Sequence, residues 1–254
     1  MTIVRAKKHL GQHFLNDENI AKKIVSSLSQ DNNNVLEIGP GMGILTKYLL
    51  QRDHIHLKAI EVDNESVEYL HDKFPEMKSN IFHDDFLKAN ISDFFSDSLS
   101  VIGNFPYNIS SQILFRVLDY RHLVTETVGM FQKEVAVRIA AHPGNKDYGI
   151  LSVLLQAFYH IEFLFTVSEH VFTPPPNVKS AVIRLRRNQV QYLDCDEEQF
   201  FRVVKTGFNQ RRKTLRNALS SIGFEKEILS QEIFSKRAEQ LTVQDFIHIT
   251  QMTK

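Results

Sequence analysis

The 254-residue chain has a single cysteine, Cys195, so it holds no disulfide framework and no Cys-clustered zinc or iron–sulfur site, and it fits a reducing compartment. Its eleven histidines form neither a His-Glu-x-x-His pattern nor a pairing with cysteine, and no metal is expected. No apolar run approaches the roughly 18 residues that cross a bilayer. The opening MTIVRAKKHLGQHF lacks the apolar core of a signal peptide, so a soluble cytoplasmic protein with no membrane partner is expected. Net charge is lacking as well, with 30 Lys plus Arg against 30 Asp plus Glu. A zero sum speaks against a polyanionic partner only if the charges are evenly spread.

They are not. Residues 53–97 hold eleven acids and four bases, whereas 1–9, 179–187 and 202–216 together hold thirteen Lys or Arg and no acid. The neutral total therefore conceals a polarised molecule, with basic groups expected on one side of a cleft and acids on the remainder.

The first two thirds alternate strand and helix patterns. Asn16 or Asp17 is placed to cap a helix with Ile20, Ile24, Val25 and Leu28 on its apolar face, followed by a strand at 35–38 and a helix carrying Ile44, Leu45, Tyr48 and Leu49. A second strand runs from His56 to Val62, with Asn64 placed to cap the next helix. Strands are expected again at 80–83, 99–103 and 127–131, with helices at 110–120 and 133–141. Such alternation implies parallel βαβ units, a sheet covered on both faces and a ligand crevice at the carboxyl ends of the strands. After Pro143-Gly144 the pattern changes to a helix at 149–158 and two strands at 159–168 and 180–187 flanking Phe172-Thr173-Pro174-Pro175-Pro176, consistent with an antiparallel edge. From residue 188 the pattern is helical, with Phe200, Phe201, Val204 and Phe208 on one face, so domains at 1–187 and 188–254 are expected.

Glu37-Ile38-Gly39-Pro40-Gly41-Met42-Gly43 joins the first strand of this series to its helix. Glycines there let backbone amides, and the helix start, approach a ligand closely. The spacing is not the G-x-G-x-x-G of a pyrophosphate site and suits a cofactor without phosphates. Glu61, about 20 residues on at the end of the next strand, can accept ribose hydroxyls. Asp85, after the third strand, can accept from an adenine amino group. Together these features resemble the S-adenosylmethionine site of class I methyltransferases.

At the end of the fourth strand stands Asn104-Phe105-Pro106-Tyr107. An exocyclic adenine amine is a poor nucleophile because its lone pair is delocalised into the ring. The Asn104 side-chain carbonyl and the Pro106 backbone carbonyl can hold its hydrogens and aim the lone pair, proline fixes the turn, and Tyr107 can stack on a flat base. Acceleration would come mainly from orientation and electrostatics.

Several stretches now add up: KHLGQHFL at 8–15, LEIGPG at 36–41, GNFPYNIS at 103–110, QKEV at 132–135, GNKDYGILSV at 144–153, FTPPPNV at 172–178 with Ser180-Ala181-Val182, and NQRRKTLRN at 209–217. These resemble the KsgA/RsmA family of small-subunit ribosomal RNA adenine dimethyltransferases from about Ala6 to Leu219. The resemblance implies a Rossmann-like class I methyltransferase domain with a small carboxyl-terminal helical domain. It implies transfer of four methyl groups from S-adenosylmethionine, released as S-adenosylhomocysteine, to N6 of two adjacent adenosines in the 3′-terminal hairpin loop of small-subunit (16S) RNA, late in assembly of the 30S subunit. It also implies cofactor contacts at His13, Leu15, Gly39, Glu61, Asp85 and Asn104, joined by Gly41 of the loop, and a target site of Asn104, Pro106 and Tyr107 with Phe172 as a second stacking aromatic. Two positions depart from the family: His13 stands where Asn is usual, and Phe105 replaces Leu, placing a larger apolar group beside the pocket. Arg211, Arg212, Lys213 and Arg216 form the expected contact with the RNA backbone. A large-subunit methyltransferase and a catalytically inert RNA-binding assembly factor are the rival readings; the 144–153, 172–178 and 209–217 stretches argue against the first and the intact 104–107 motif against the second. A monomer is expected.

Overall fold

The computed structural model describes residues 4–253; residues 1–3 of the basic amino-terminal stretch, and Lys254 at the end of the expected helical domain, lie outside the described residues. The strands are β1 (Phe14–Leu15), β2 (Asn34–Ile38), β3 (His56–Glu61), β4 (Ile81–His83), β5 (Leu99–Asn104), β6 (Val124–Gln132), β7 (Tyr159–Val167), β8 (Phe172–Thr173) and β9 (Ser180–Arg187). The α-helices are α1 (Glu18–Ser26), α2 (Ile44–Leu49), α3 (Asn64–Lys73), α4 (Ser110–Asp119), α5 (Lys133–Ala140), α6 (Ile150–Gln156), α7 (Glu197–Asn209), α8 (Leu215–Ala218), α9 (Lys226–Leu229) and α10 (Val243–Gln251). Two compact units emerge, one of Met1–Ala136 with Glu162–Arg187, the other of Val137–Ile161 with Asn188–Lys254.

In the first unit the sheet order is β4-β3-β2-β5-β6-β9-β7. Strands β2 to β6 pair with one another in parallel, with Ile38 beside Ile60, Glu37 beside Ile102 and Gly103 beside Gly129. β9 runs antiparallel to β6, pairing Ile183 with Gly129, and makes the sheet mixed. β2 and β5 are nearly continuous runs of buried residues, as a sheet covered on both faces requires. Because β3 lies on one side of β2 and β5 on the other, the order reverses at β2, and the crevice opens where the β2, β3, β4 and β5 loops emerge. A separate two-stranded pairing sets β1 against β8, Leu15 opposite Phe172.

Local chemistry accounts for the helix starts. Asp17, not Asn16, caps α1, its Oδ1 accepting the Asn19 and Ile20 amides at 2.8 and 3.0 Å. α3 begins one residue earlier than expected: Asp63 is the extended cap residue and Asn64 is already helical, its side-chain Nδ2 donating to the Glu68 carboxylate one turn on at 2.7 Å.

Gly103 and Gly129 form a bed for Phe105. A β-carbon on Gly129 would lie 2.3 Å from that ring, and one on Gly103 would lie 2.6 Å from it. Phe105 is therefore 1% exposed and meets Phe131 edge-on at 5.2 Å, its ring packed into the sheet face. We expect Gly129→Ala to push the ring out, costing about 1–3 kcal/mol. A fall in the denaturation midpoint, with reduced activity because Asn104 precedes Phe105, is the result to look for; an unchanged midpoint refutes the bed.

The second unit is helical. Phe200, Val203, Val204, Gly207 and Phe208 of α7 are buried, while Phe201, expected on the same face, is half-buried. Phe208 stands 5.8 Å from Phe246 of α10 and 6.1 Å from Tyr148. Among the described residues no helix is long and apolar enough to cross a membrane.

Candidate active site

The crevice of the first unit is a cavity of about 310 Å³, within the usual range for ligand sites. Its walls come from the segment before β1 and from the loops after β2, β3, β4 and β5. The structure brings His13, Leu15, Gly39, Gly41, Glu61 and Asp85 to this one cavity, together with Asn104, Pro106 and Tyr107.

The glycine loop shapes the floor. Gly41 and Gly43 both have positive φ, +56° and +72°. A β-carbon on Gly41 would lie 3.0 Å from Phe14, and one on Gly43 would lie 2.4 Å from Phe74, so side chains are excluded by conformation and by space. Gly39 shares the positive φ, at +65°, but nothing lies within 4 Å of where its β-carbon would be, leaving open volume beside the backbone.

Glu61 is 5% exposed and fixed by three backbone donors. Its Oε1 accepts the Val62 and Asp63 amides at 2.9 and 3.0 Å, and its Oε2 accepts Gly41 N–H at 3.0 Å. A carboxylate offers about four acceptor positions, so one remains for a hydroxyl without displacing an amide. Burial raises its pKa, an effect the backbone amides oppose. Glu37, 1% exposed, also lines the cavity and accepts from Thr46 Oγ1 at 2.7 Å; burial pushes its pKa up to about 7. Asp85 accepts the Leu87 amide at 3.0 Å through Oδ1 and faces Lys88 at 3.2 Å through Oδ2, while Asp84 caps the Asp85 amide at 2.7 Å.

Asn104 is the last residue of β5 and half-buried. One N–H of its Nδ2 donates to the His13 carbonyl at 2.8 Å, which orients the amide and leaves Oδ1 as an acceptor. The Pro106 carbonyl already accepts Ile109 N–H at 3.2 Å, so only its second lone pair is open to a substrate. Tyr107 is pinned at its hydroxyl by Ser180 Oγ at 2.5 Å, and burial raises the phenol's pKa, keeping it protonated.

Phe172 requires a correction. It is 3% exposed, packs in the apolar core that contains Leu15, and does not line the cavity. The pairing of β8 with β1 turns its ring inward. Nor are all the basic residues free. Arg211 donates to the Lys146 and Tyr148 carbonyls at 2.7 and 2.9 Å and Arg216 to the Leu229 carbonyl at 2.8 Å, although both, like Arg212 and Lys213, are exposed. In the 179–187 stretch, Arg184 and Arg186 both pair with Glu162, at 2.7 and 3.0 Å, and the Arg184 guanidinium holds that carboxyl below its ordinary range.

Three features escaped sequence reasoning. Val62, 48% exposed beside Glu61, gives the cavity an apolar platform; its position directly after the strand-ending acid was the available signal. Lys7 pairs with Asp63 and, at 3.3 Å, with Glu65. Gln12 joins them, donating to Asp63 at 3.3 Å and accepting the Lys7 amide at 2.8 Å. This latch draws residues 7–13 across the cavity, and separations of 51 to 58 residues give no local sequence signal.

Such a sheet, with a glycine loop and an acid at the end of the neighbouring strand, defines the Rossmann-like class I methyltransferase fold. The solved structure of a dimethyladenosine transferase from Plasmodium falciparum superimposes with a TM-score of 0.80 at 24% identity, covering 93% of this chain and 96% of that one. The 23S rRNA methyltransferase ErmE does so at 0.68, also 24% identical, over 93% and 99%. The chain belongs to the ribosomal RNA adenine dimethylase family, whose model matches residues 3–254. A relative from Cytophaga hutchinsonii named ribosomal RNA small subunit methyltransferase A is 61% identical over 254 residues, covering 99% of this chain and 98% of its own length.

Proposed function

We propose that this protein transfers methyl groups from S-adenosylmethionine to N6 of two adjacent adenosines in the 3′-terminal hairpin loop of small-subunit rRNA, acting as a cytoplasmic monomer on immature 30S subunits. Family membership and the name of the 61% identical relative support the RNA class and the reaction. One observation carries the chemistry: Asn104 opens onto the cavity with its amide donor held by His13, so that its carbonyl oxygen is presented as an acceptor.

The residues suit this cofactor. The open space at Gly39, the remaining acceptor position on Glu61 and the apolar Val62 surface correspond to a ligand carrying backbone-contacting atoms, a ribose and a flat base. His13, Leu15, Gly41 and Asp85 complete the proposed set. Bound there, S-adenosylmethionine would supply a methyl carbon activated by its sulfonium and would leave as S-adenosylhomocysteine.

The chain's own groups then act on the adenine. Asn104 Oδ1 and the Pro106 carbonyl accept its N6 hydrogens and orient the lone pair, and Tyr107 offers a ring face for stacking. The base must leave its stack to reach them, which costs least in a single-stranded loop. Residues 188–254 are the proposed RNA-binding domain, with the exposed Arg211, Arg212, Lys213 and Arg216 as phosphate contacts, Arg211 and Arg216 also holding backbone carbonyls of their own unit.

The test is incubation with labelled S-adenosylmethionine and small subunits from cells lacking the modification, followed by mapping. Label on two adjacent adenosines of small-subunit RNA is expected. Label confined to large-subunit RNA, or no label, overturns the proposal.

A further inference from the structure

His13 meets the proposed target site twice, at Tyr107 through its side chain and at Asn104 through its backbone carbonyl. Its imidazole stacks on Tyr107, with ring centroids 5.4 Å apart and planes inclined by 28°. Its Nδ1 lies 2.8 Å from the Pro174 carbonyl; since a carbonyl only accepts, Nδ1 carries the hydrogen and donates. Its backbone carbonyl receives the Asn104 amide. One residue thus joins the 104–107 motif to the 172–176 loop, through a side chain that the family's usual Asn cannot reproduce as a ring.

The separation decides what the stack is for. A base between two rings needs two van der Waals gaps of about 3.5 Å each, more than the 5.4 Å observed. The imidazole therefore occupies one face of Tyr107, so an adenine stacked on this ring would have to take the other. Phe172, buried in the core, does not supply a second ring at the cavity. With the Tyr107 hydroxyl held by Ser180 and one face backed by His13, the ring is fixed at both its edge and its plane.

We propose that the His13 imidazole is a positioning residue for the target adenine: it backs the Tyr107 ring and, through Pro174, sets the 172–176 loop. This rests on the adenine methyltransferase reading above. The side chain acts through Tyr107, and the proposal gives any cofactor contact of His13 to its backbone, so the two roles separate under substitution. An ångström of misplacement in a positioned site can cost up to about 100-fold in rate.

The experiment measures single-turnover methylation of small subunits and calorimetric binding of S-adenosylmethionine for wild type, His13→Ala, His13→Asn and His13→Phe. His13→Ala is expected to lower the rate about tenfold while cofactor affinity stays within twofold. His13→Asn, which keeps a donor for Pro174, and His13→Phe, which keeps the stack, should each recover part of the loss, and they stand in for His13→Ala if that variant does not fold. A His13→Ala rate within twofold of wild type overturns the proposal, as does a cofactor affinity that falls in step with the rate. So does full activity in both the Asn and the Phe variants. Inactivity of the wild type itself removes the methyltransferase reading and this inference with it, which distinguishes the two failures.

Discussion

Asn104→Ala is expected to slow methyl transfer by about 100- to 1,000-fold, the cost of removing one oriented polar group from a preorganised site. RNA affinity should stay within twofold. The reason is that Oδ1 works only on the reacting amine: one N–H of Nδ2 is held by the His13 carbonyl, and no RNA phosphate contact is proposed for this side chain. At about 1.36 kcal/mol per factor of ten, the loss corresponds to roughly 3–4 kcal/mol of transition-state stabilisation. Asn104→Asp sharpens the assignment. It keeps an acceptor oxygen at the same place but sets a second one against the His13 carbonyl, so it should retain more activity than alanine and less than asparagine. Rates from single turnover and affinities from filter binding settle the matter. Equal losses of rate and RNA affinity would falsify the role given to Asn104.

The acceptor motif was readable because it is local: four consecutive residues at the end of an apolar strand carry the chemistry in their order. The glycine loop and the strand–helix alternation were readable for the same reason, since positive φ and burial periodicity leave marks within a few residues. What the residues alone did not reveal depends on pairing across long separations. The two-residue strands β1 and β8 have no period to detect, yet their pairing turns Phe172 inward and brings His13 to Pro174. Arg184 and Arg186 read as part of a basic surface until Glu162, more than 20 residues earlier, is found beside them. Phe105 does stand beside the cavity, but nothing local says that Gly103 and Gly129, neighbours in register, leave a hollow for its ring. Charge runs and aromatic motifs state what a segment offers; the pairing of strands decides which face offers it.

Glu37 leads to a second large effect, this time on stability. Burial raises its pKa to about 7, with the Thr46 hydroxyl opposing that rise and the nearby Glu61 charge adding to it. A folded-state pKa above the unfolded one means that the protonated carboxyl favours the fold. Its contribution is complete below the unfolded value of 4.5 and is lost as pH climbs through 7. A rise of that size is worth about 3 kcal/mol. Glutamine cannot ionise and still accepts from Thr46. Glu37→Gln should therefore match wild type near pH 4.5 and exceed it at pH 8 by several degrees in melting temperature, at about 2–4 °C per kcal/mol for a chain of this size. The cofactor tests the same group from the other side. S-adenosylmethionine carries an ammonium and a sulfonium, and cationic groups in the cavity that Glu37 lines favour its anion. Excess cofactor should then narrow the gap between wild type and Glu37→Gln at pH 8, and stabilise wild type more at pH 8 than at pH 5. Parallel melting curves for the two proteins from pH 4.5 to 8.5 would show that Glu37 is ionised throughout, and would leave its burial offset by some other partner.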